Sequence, residues 1–157
     1  QVLGELLGSG SASEAEGLLA ISDDGDGLAR AIALALDDAG MTTADVGMIV
    51  AHANGTRNSD VTEARALVRL FGKGMPPVTG FKWAFGHLLA ASGTIETVLA
   101  LEALRRGVVP GIASLASLDE ACAGLNVSRE ATEPRSNVAL VLSRGFGSTN
   151  TALLVRT

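Results

Sequence analysis

Short apolar runs alternate along the chain with longer segments whose apolar residues recur at helical spacing. The runs at 2–11, 46–51, 78–80, 137–143 and 152–156 are typical of strands, and segments 25–40, 60–71 and 86–106 have the periodicity of helices. This order predicts an α/β domain in which helices cover a sheet. With 157 residues, 47% of them hydrophobic, the chain is large and apolar enough for one packed core.

Charge and composition exclude several classes of partner and site. The net charge is -5 and the basic residues are scattered, so no nucleic-acid partner is expected. No apolar run approaches the ~18 residues that span a bilayer, and no charged segment followed by an apolar one opens the chain. A cytoplasmic domain without membrane contact or signal peptide is therefore expected. One cysteine and two histidines provide neither a disulfide framework nor a zinc site, and no cofactor is predicted.

The chain enters a strand-like run directly after Gln1. A domain that begins within a strand is expected to belong to something larger, either a trimmed chain or half of a longer protein. We therefore expect residues 1–157 to form one domain of a larger unit.

Polar or glycine-rich loops follow three of the predicted strands. They comprise residues 52–60, 82–87 and 144–150. In open α/β sheets, ligands bind outside the carboxyl ends of the strands. These loops are therefore the candidate site.

His87 is the most informative single residue because it lies at the first turn of an almost wholly apolar predicted helix. A helix N-terminus disfavours protonation, so a neutral imidazole that donates its N–H to a carbonyl oxygen is expected. From position alone, a structural histidine bonded to the backbone fits equally well.

The same predicted helix contains Glu96 in a run, 88–104, that is apolar nearly all round and therefore predicted to be buried. A buried carboxylate requires a partner, and Lys82, just before the helix, is a candidate. Glu96 lies roughly 13 Å from His87 along a continuous helix, so the sequence does not place it at the His87 site. A structural ion pair, or two solvated side chains, is the alternative.

The glycine-rich loop 145–150 joins two predicted strands. Because no helix follows it, it lacks the pattern of a dinucleotide-binding loop. Backbone N–H groups aimed at an oxyanion are a better interpretation, and a plain hairpin tip is the alternative. Cys122 has acidic neighbours that raise a thiol pKa, so it is predicted to be a small core residue and not a nucleophile.

Together, the three loops resemble motifs in the C-terminal half of β-ketoacyl-acyl-carrier-protein synthases, the elongating condensing enzymes of fatty acid and polyketide synthesis. The family's Asn-Ala-His-Gly-Thr, then Asp and Glu at a helix, is similar to His52-Ala53-Asn54-Gly55-Thr56 with Asp60 and Glu63. Its Lys-Ser-x-x-Gly-His-x-x-Gly-Ala-x-Gly-x-x-Glu is similar to residues 82–96, and its Asn-Ser-Phe-Gly-Phe-Gly-Gly-Thr-Asn to residues 142–150. The match covers essentially the whole chain, apart from about two residues missing after Arg57.

The resemblance implies the thiolase fold, in which two similar halves, each a sheet covered by helices, stack in a layered α/β sandwich. In this family the nucleophilic Cys lies in the N-terminal half, and Cys122 matches no motif. Residues 1–157 would then be the C-terminal half. Acyl transfer would require the N-terminal half or a companion synthase subunit, as a homo- or heterodimer acting on acyl chains that an acyl carrier protein bears on its phosphopantetheine arm.

Carried over position by position, the resemblance also implies residue roles. His87 would contact the thioester carbonyl, and Lys82 and Glu96 would form a supporting charged pair. The N–H of Phe146 would contribute to the oxyanion hole, while its ring would gate the acyl pocket. The substrate-binding positions would be Thr56, near the pantetheine arm, together with Gly145, Gly147 and His52.

The departures from the family pattern bear on the function. The family's histidine is Asn54 here, and His52 stands where the family has Asn. Asn54 can donate an N–H but cannot relay a proton, so Asn54 and His87 are expected to hold the thioester oxygen together. Arg144 replaces a Phe and Ser148 a Gly.

Three functions remain open on these residues. The first is a condensing acyltransferase. The second is a non-catalytic partner that shapes the acyl pocket, as chain-length factors do. The third is a thiolase-like acyltransferase without decarboxylation.

Overall fold

The computed structural model describes residues 2–15, 17–18 and 20–157. They form a five-stranded mixed sheet in the order β1-β5-β4-β2-β3. The strands are β1 (Glu5–Ser13), β2 (Met48–Val50), β3 (Val78–Thr79), β4 (Val138–Gly145) and β5 (Thr149–Arg156). Strand β2 pairs in parallel with β3 and β4, whereas β5 pairs antiparallel with β4 and β1. The predicted α/β class is confirmed, and the predicted hairpin at the end of the chain is β4–β5.

Helices cover both faces of this sheet. Within the described residues, the α-helices are α1 (Asp26–Asp38), α2 (Arg57–Phe71), α3 (Lys82–Phe85) and α4 (Ser92–Arg106). Single 3₁₀ turns occur at Thr43–Asp45, Gly72–Gly74, Leu89–Ala91 and Glu120–Cys122. No helix in this part of the chain is long and apolar enough to cross a bilayer.

The central strands are buried on both sides, which explains why they read as short continuous apolar runs. Side chains alternate across a strand, so Met48 and Val50 pack on the α4 side while Ile49 packs on the side of α1 and α2. In β4, Leu140 and Val141 divide in the same way. The sheet is therefore the middle layer of three.

Helix α1 packs very close to strand β1. A Cβ added at Gly8 would lie 2.5 Å from the carbonyl oxygen of Ala35 in α1, so only glycine fits there. This contact explains the glycines that interrupt the first strand.

Two helix boundaries differ from the sequence prediction. Helix α2 begins at Arg57, three residues before the predicted start at residue 60. The helix predicted from Gly86 begins at Ser92, and the predicted loop before it contains α3. The cause is the backbone of Gly86 and Leu89, whose φ angles of 83° and 52° cannot continue a right-handed helix.

Helix α4 was predicted to be buried on nearly all sides. This prediction is wrong for one face of the helix, which is exposed. Ala100 and Leu104 pack against the sheet, whereas Ile95 and Val98 are exposed. The preceding segment also exposes large apolar side chains, namely Trp83, Phe85, Leu88 and Leu89. We call these six exposed side chains the apolar face.

Candidate functional site

The three loops singled out from the sequence meet around one cavity of about 1030 Å³. His52, Asn54, Thr56, His87 and Phe146 all contribute to its lining. Gly145 also lines it, as do residues that follow β1. The predicted juxtaposition of these loops is thus present in the structure.

The end of strand β2 is held by a carboxylate of helix α2. Glu63 Oε1 accepts the backbone N–H of His52 at 2.8 Å, and its Oε2 accepts that of Ala53 at 2.9 Å. Ala53 has a φ of 40°, a conformation that sharply turns the chain beyond His52. Burial raises the pKa of Glu63, while the two N–H bonds act in the opposite direction.

The imidazole of His52 is buried and kept neutral. The backbone N–H of Arg144 donates to its Nδ1 at 3.2 Å, so the ring proton sits on Nε2. Burial and, second to it, the charge of Lys82 together lower the pKa of His52 to about 3. His52 is therefore a neutral N–H donor on the cavity wall throughout the physiological range.

His87 has the same tautomer by different contacts. The N–H of Leu89 donates to its Nδ1 at 3.1 Å, and Ser92 Oγ lies 2.9 Å from the same nitrogen. Because Nδ1 accepts the N–H of Leu89, it carries no proton, and the Ser92 hydroxyl must donate to it as well. The proton of the His87 ring is thereby assigned to Nε2.

The physical reason for a neutral His87 is not the one expected from the sequence. His87 precedes α4 by several residues, so it does not lie in the first turn of that helix. Desolvation lowers the pKa of His87, and the nearby charge of Lys82 adds to this effect. The neutral state therefore follows from Lys82 and local packing instead of the helix dipole.

The two imidazole rings lie edge to face. Their centroids are 5.3 Å apart and their planes are inclined by 81°. The structure thus brings together His52 and His87, whereas the family resemblance implied that His87 pairs with Asn54.

Asn54 forms a local turn at the cavity rim. Its Oδ1 accepts the backbone N–H of Thr56 at 2.9 Å and the hydroxyl of Thr56 at 2.8 Å. These contacts fix the amide orientation, so the Nδ2 hydrogens are what Asn54 can offer to a ligand. Thr56 itself is exposed at the N-cap position of α2.

Lys82 and Glu96 form a buried ion pair behind the histidines. Lys82 Nζ lies 2.5 Å from Glu96 Oε1, and the two side chains are 4% and 0% exposed. Burial raises the pKa of Glu96, although the Lys82 ammonium opposes this shift. The pairing inferred from the sequence is present because the chain between α3 and α4 folds back and is not a straight helix.

The glycine-rich loop is more constrained than expected. The N–H of Gly147 donates to the carbonyl of Leu18 at 2.8 Å, so it is not free for an oxyanion in this conformation. The ring of Phe146 is 72% exposed and contributes to the cavity lining. The expectation of free N–H groups is therefore wrong for Gly147.

Arg144 forms a buried hydrogen-bond network that could not be expected from the sequence. Its guanidinium donates to Asn150 Oδ1 at 2.9 Å, to Thr62 Oγ1 at 2.7 Å and to Glu14 Oε1 at 3.1 Å. The guanidinium also donates, through Nη1, to the backbone carbonyl of Ser59 at 3.0 Å. A lone arginine at the end of an apolar strand was the only signal for this network, since its partners are distant in the chain.

Cys122 is buried, as predicted for a small core residue. Burial raises the pKa of its thiol, and the carboxylate of Asp119 raises it further. The acidic neighbours expected from the sequence to raise this pKa therefore act after burial, which is the larger cause.

Comparison with known proteins places this geometry in a family. Residues 3–116 match the family model described as beta-ketoacyl synthase, C-terminal domain. The 3-oxoacyl-[acyl-carrier-protein] synthase 2 of Rhizobium meliloti (strain 1021) is 34% identical over 158 residues, which cover 99% of this chain and 37% of that protein.

Two solved structures extend the likeness to the fold. The ishigamide ketosynthase/chain length factor superposes with a TM-score of 0.91 at 30% identity, covering 100% of this chain and 38% of that one. A type II polyketide synthase acyl-carrier protein in complex with its ketosynthase bound to the hexaketide gives a TM-score of 0.93 at 27% identity, covering 100% of this chain and 39% of that one.

The chain spans little more than a third of the length of these relatives. The likeness to ketosynthases confirms the predicted thiolase-like α/β fold, and the family resemblance read from the three loops is confirmed as well. The chain belongs to the β-ketoacyl synthase family, the condensing enzymes of fatty acid and polyketide synthesis, and carries their C-terminal domain.

Proposed function

We propose that this chain is the C-terminal half of an active condensing enzyme, and that it supplies the groups that hold the thioester oxygen of the substrate. The observation that carries the proposal is the pair of neutral imidazoles, His52 and His87, on one cavity wall. Each ring has its Nδ1 occupied by protein donors and its proton on Nε2. Preorganised donors of this kind stabilise a developing oxyanion.

His52 takes the place of the family's histidine better than Asn54 does. The motif register that puts Asn54 in that place needs about two residues to be missing after Arg57. If the alignment is moved by two residues, His52 takes the position of the family's histidine and no residues are missing after Arg57. The ring of His52 also lies against His87, whereas Asn54 is engaged in a turn with Thr56.

The proposed reaction begins with loss of carbon dioxide from a malonyl thioester. The bond between the carboxylate carbon and the α-carbon breaks, and its electron pair moves towards the thioester carbonyl to give an enolate. The Nε2–H groups of His52 and His87 stabilise the enolate oxygen without giving up their protons. The enolate carbon then attacks an acyl thioester on the nucleophilic Cys, and the Cys thiolate leaves as the new carbon–carbon bond forms.

The remaining site residues have supporting roles in this proposal. Desolvation keeps both imidazoles neutral, and the charge of the Lys82 ammonium, which is anchored by Glu96, adds to this effect. The backbone N–H of Phe146 adds an oxyanion donor, and Gly145 allows the acyl chain to approach the loop closely. Asn54 and Thr56 contact the pantetheine arm at the rim.

The nucleophile is proposed to come from the N-terminal half of the synthase, within the same protein or in a companion subunit. Cys122 cannot serve because it is buried with a raised pKa. The apolar face offers a surface for that half, since large exposed apolar patches mark interaction sites. An acyl carrier protein delivers the substrate, as the similar ketosynthase in complex with its acyl-carrier protein suggests.

A second candidate function is a non-catalytic partner that resembles a chain-length factor. The observation that favours it is the pair of departures from the family pattern, Arg144 just before the glycine-rich loop and Ser148 within it, together with the likeness to the ishigamide ketosynthase/chain length factor. In that case the cavity would shape a product made by another subunit.

Product formation by the complete synthase that contains this chain is the measurement that distinguishes the two functions. Given malonyl- and acyl-carrier proteins, the parent is expected to form a β-ketoacyl product, and His87→Ala to lower its turnover on the order of 100-fold or more. A non-catalytic partner would instead keep turnover within a few-fold of the parent in His87→Ala. The control variant is Asn137→Ala, because Asn137 lies before the start of β4, at the end away from the cavity, where its side chain donates to the carbonyl of Thr157. This variant is expected to retain parental turnover.

A further inference from the structure

Arg144 and Ser148, on either side of Phe146, both depart from the family pattern, and both contact the stretch that follows β1. We call residues 145–150 the Phe146 loop, and residues 14, 15, 17, 18 and 20–22 the post-β1 segment. Arg144 stands where the pattern has Phe, and Ser148 where it has Gly. Arg144 forms an ion pair with Glu14 in which both side chains are almost completely buried.

Ser148 bonds the same segment through its hydroxyl. Its Oγ lies 2.7 Å from the carbonyl oxygen of Gly17 and 3.1 Å from that of Ala20. Its φ of 57° lies in the left-handed region, which glycine adopts without strain and serine does not. The hydroxyl contact therefore offsets a backbone cost that the family's glycine avoids.

Backbone hydrogen bonds complete the connection. The N–H of Gly147 donates to the carbonyl of Leu18 at 2.8 Å, and the N–H of Glu14 donates to that of Ser148 at 3.0 Å. The carboxylate of Glu14 also accepts Asn150 Nδ2 at 3.0 Å, on the loop side, and the N–H of Ser22 at 2.6 Å. Three of these four hydrogen bonds join the Phe146 loop to the post-β1 segment. The fourth, from Ser22, lies within the post-β1 segment and holds the Glu14 carboxylate in place.

Both connected parts line the same cavity. Leu18 and Ile21 of the post-β1 segment contribute apolar surface to it, as does Phe146 of the loop. A loop held to that segment keeps the Phe146 ring at a constant distance from this wall. A loop released from it would allow the ring to move and the space for an acyl chain to change.

We propose that Ser148 and Arg144 are positioning residues that fasten the Phe146 loop to the post-β1 segment, so that Phe146 forms a fixed wall of the acyl pocket. The effect on acyl selectivity rests on the proposed function, whereas the fastening itself does not. In this arrangement the pocket accepts a narrower range of acyl lengths than a loop with Phe and Gly at these positions would allow.

The test uses two variants of the complete synthase. Ser148→Ala removes the hydroxyl and keeps the strained conformation, whereas Ser148→Gly removes both. The matched control is Ser136→Ala, which removes a hydroxyl that donates to the backbone carbonyl of Asp45 at 2.6 Å, beyond the opposite end of β4. The measurements are amide hydrogen exchange at Gly147 and Glu14, and kcat and KM for a long and a short saturated acyl-carrier protein.

Both Ser148 variants are expected to exchange these two amides about two- to tenfold faster than the parent and the control, the range that loss of one hydrogen bond gives. The ratio of KM values for the long and short acyl chains is expected to change at least about threefold, with kcat nearly constant. Parental exchange rates would overturn the fastening. Faster exchange with an unchanged KM ratio would overturn the positioning role. Faster exchange in a synthase that condenses neither substrate would uphold the fastening and contradict the proposed function.

Discussion

The backbone N–H of Arg144 in strand β4 donates to Nδ1 of His52 at the end of strand β2. This bond crosses between neighbouring parallel strands and fixes which ring nitrogen of His52 carries the proton. Its consequence is a donor, Nε2–H, beside the equivalent donor of His87. The site depends on this relationship between distant parts of the chain.

The stability of the protein is expected to depend on the protonation of His52. In the folded state its pKa is about 3, against 6.5 for the ordinary side chain. The unfolded chain therefore binds a proton as the pH falls through 6.5, while the folded chain binds it only near 3. The His52 contribution to stability is present above pH 6.5 and is lost at up to about 1.4 kcal/mol per pH unit as the pH falls below it.

This linkage is measured by urea unfolding between pH 7 and pH 4 for the parent and for His52→Gln. Subtracting the two curves removes the contribution of the carboxylates. The free-energy difference in favour of the parent is expected to shrink as the pH falls. His87→Gln serves as the comparison, because the exposed ring of His87 gives a smaller change. Parallel curves for the parent and His52→Gln would contradict the assignment of a buried neutral histidine.

The buried pair of Lys82 and Glu96 makes a second prediction. Lys82→Met leaves the Glu96 carboxylate buried without a cation, and breaking such a pair costs about 3–5 kcal/mol of unfolding free energy. The double variant Lys82→Met/Glu96→Leu removes both charges and is expected to recover most of that loss. Urea unfolding of the single and double variants measures this recovery. Equal losses of unfolding free energy in both variants would refute the pairing.

Removal of the Lys82 charge also has a predicted effect on the histidines. The ammonium lowers the pKa of both His52 and His87, so the pKa values rise in Lys82→Met/Glu96→Leu. A higher pKa means that the neutral imidazoles are lost at a higher pH. The acidic limb of the turnover–pH profile is therefore expected to move to higher pH, and a limb at the parental position would count against this role of Lys82.

The apolar face is expected to contact the nucleophile-bearing half of the synthase. Leu88→Asp places a charge on this surface, and burial of an unpaired charge is costly. When the two halves are produced separately, the variant is expected to bind its partner half more than about tenfold more weakly than the parent. Leu34→Asp, on the exposed side of α1, is the matched control. Sedimentation velocity measures the association, and equal weakening by both variants would contradict the predicted surface.

The sheet and its layers could be predicted from the sequence because the central strands are buried on both faces. A run such as Met48–Val50 is apolar without interruption, and its short length favours a strand over a buried helix. The start of α4 could not be predicted in the same way. Leu89 takes a positive φ that nothing in its residue type indicates, so an apparently continuous apolar helix is broken before Ser92.

Candidate site residues could be named from the sequence more readily than the contacts between them. His87, Lys82 and Glu96 could be identified because a histidine and two opposite charges are conspicuous among apolar residues. The environment of His52 depends on Arg144, which is 92 positions away in the sequence, and on Glu63 in the following helix. Such long-range bonds leave no local pattern, which is why the sequence favoured Asn54 as the second donor.

The most direct test of the paired donors is malonyl decarboxylation by the complete synthase, measured as release of carbon dioxide from a malonyl-carrier protein. Loss of one oxyanion donor costs on the order of 100- to 1000-fold in turnover, so His52→Ala and His87→Ala are each expected to fall by this factor. Asn54→Ala is expected to stay within about tenfold of the parent, because Asn54 contacts Thr56 and not the second imidazole. A near-parental rate for His52→Ala, with a large loss for Asn54→Ala, would contradict the account.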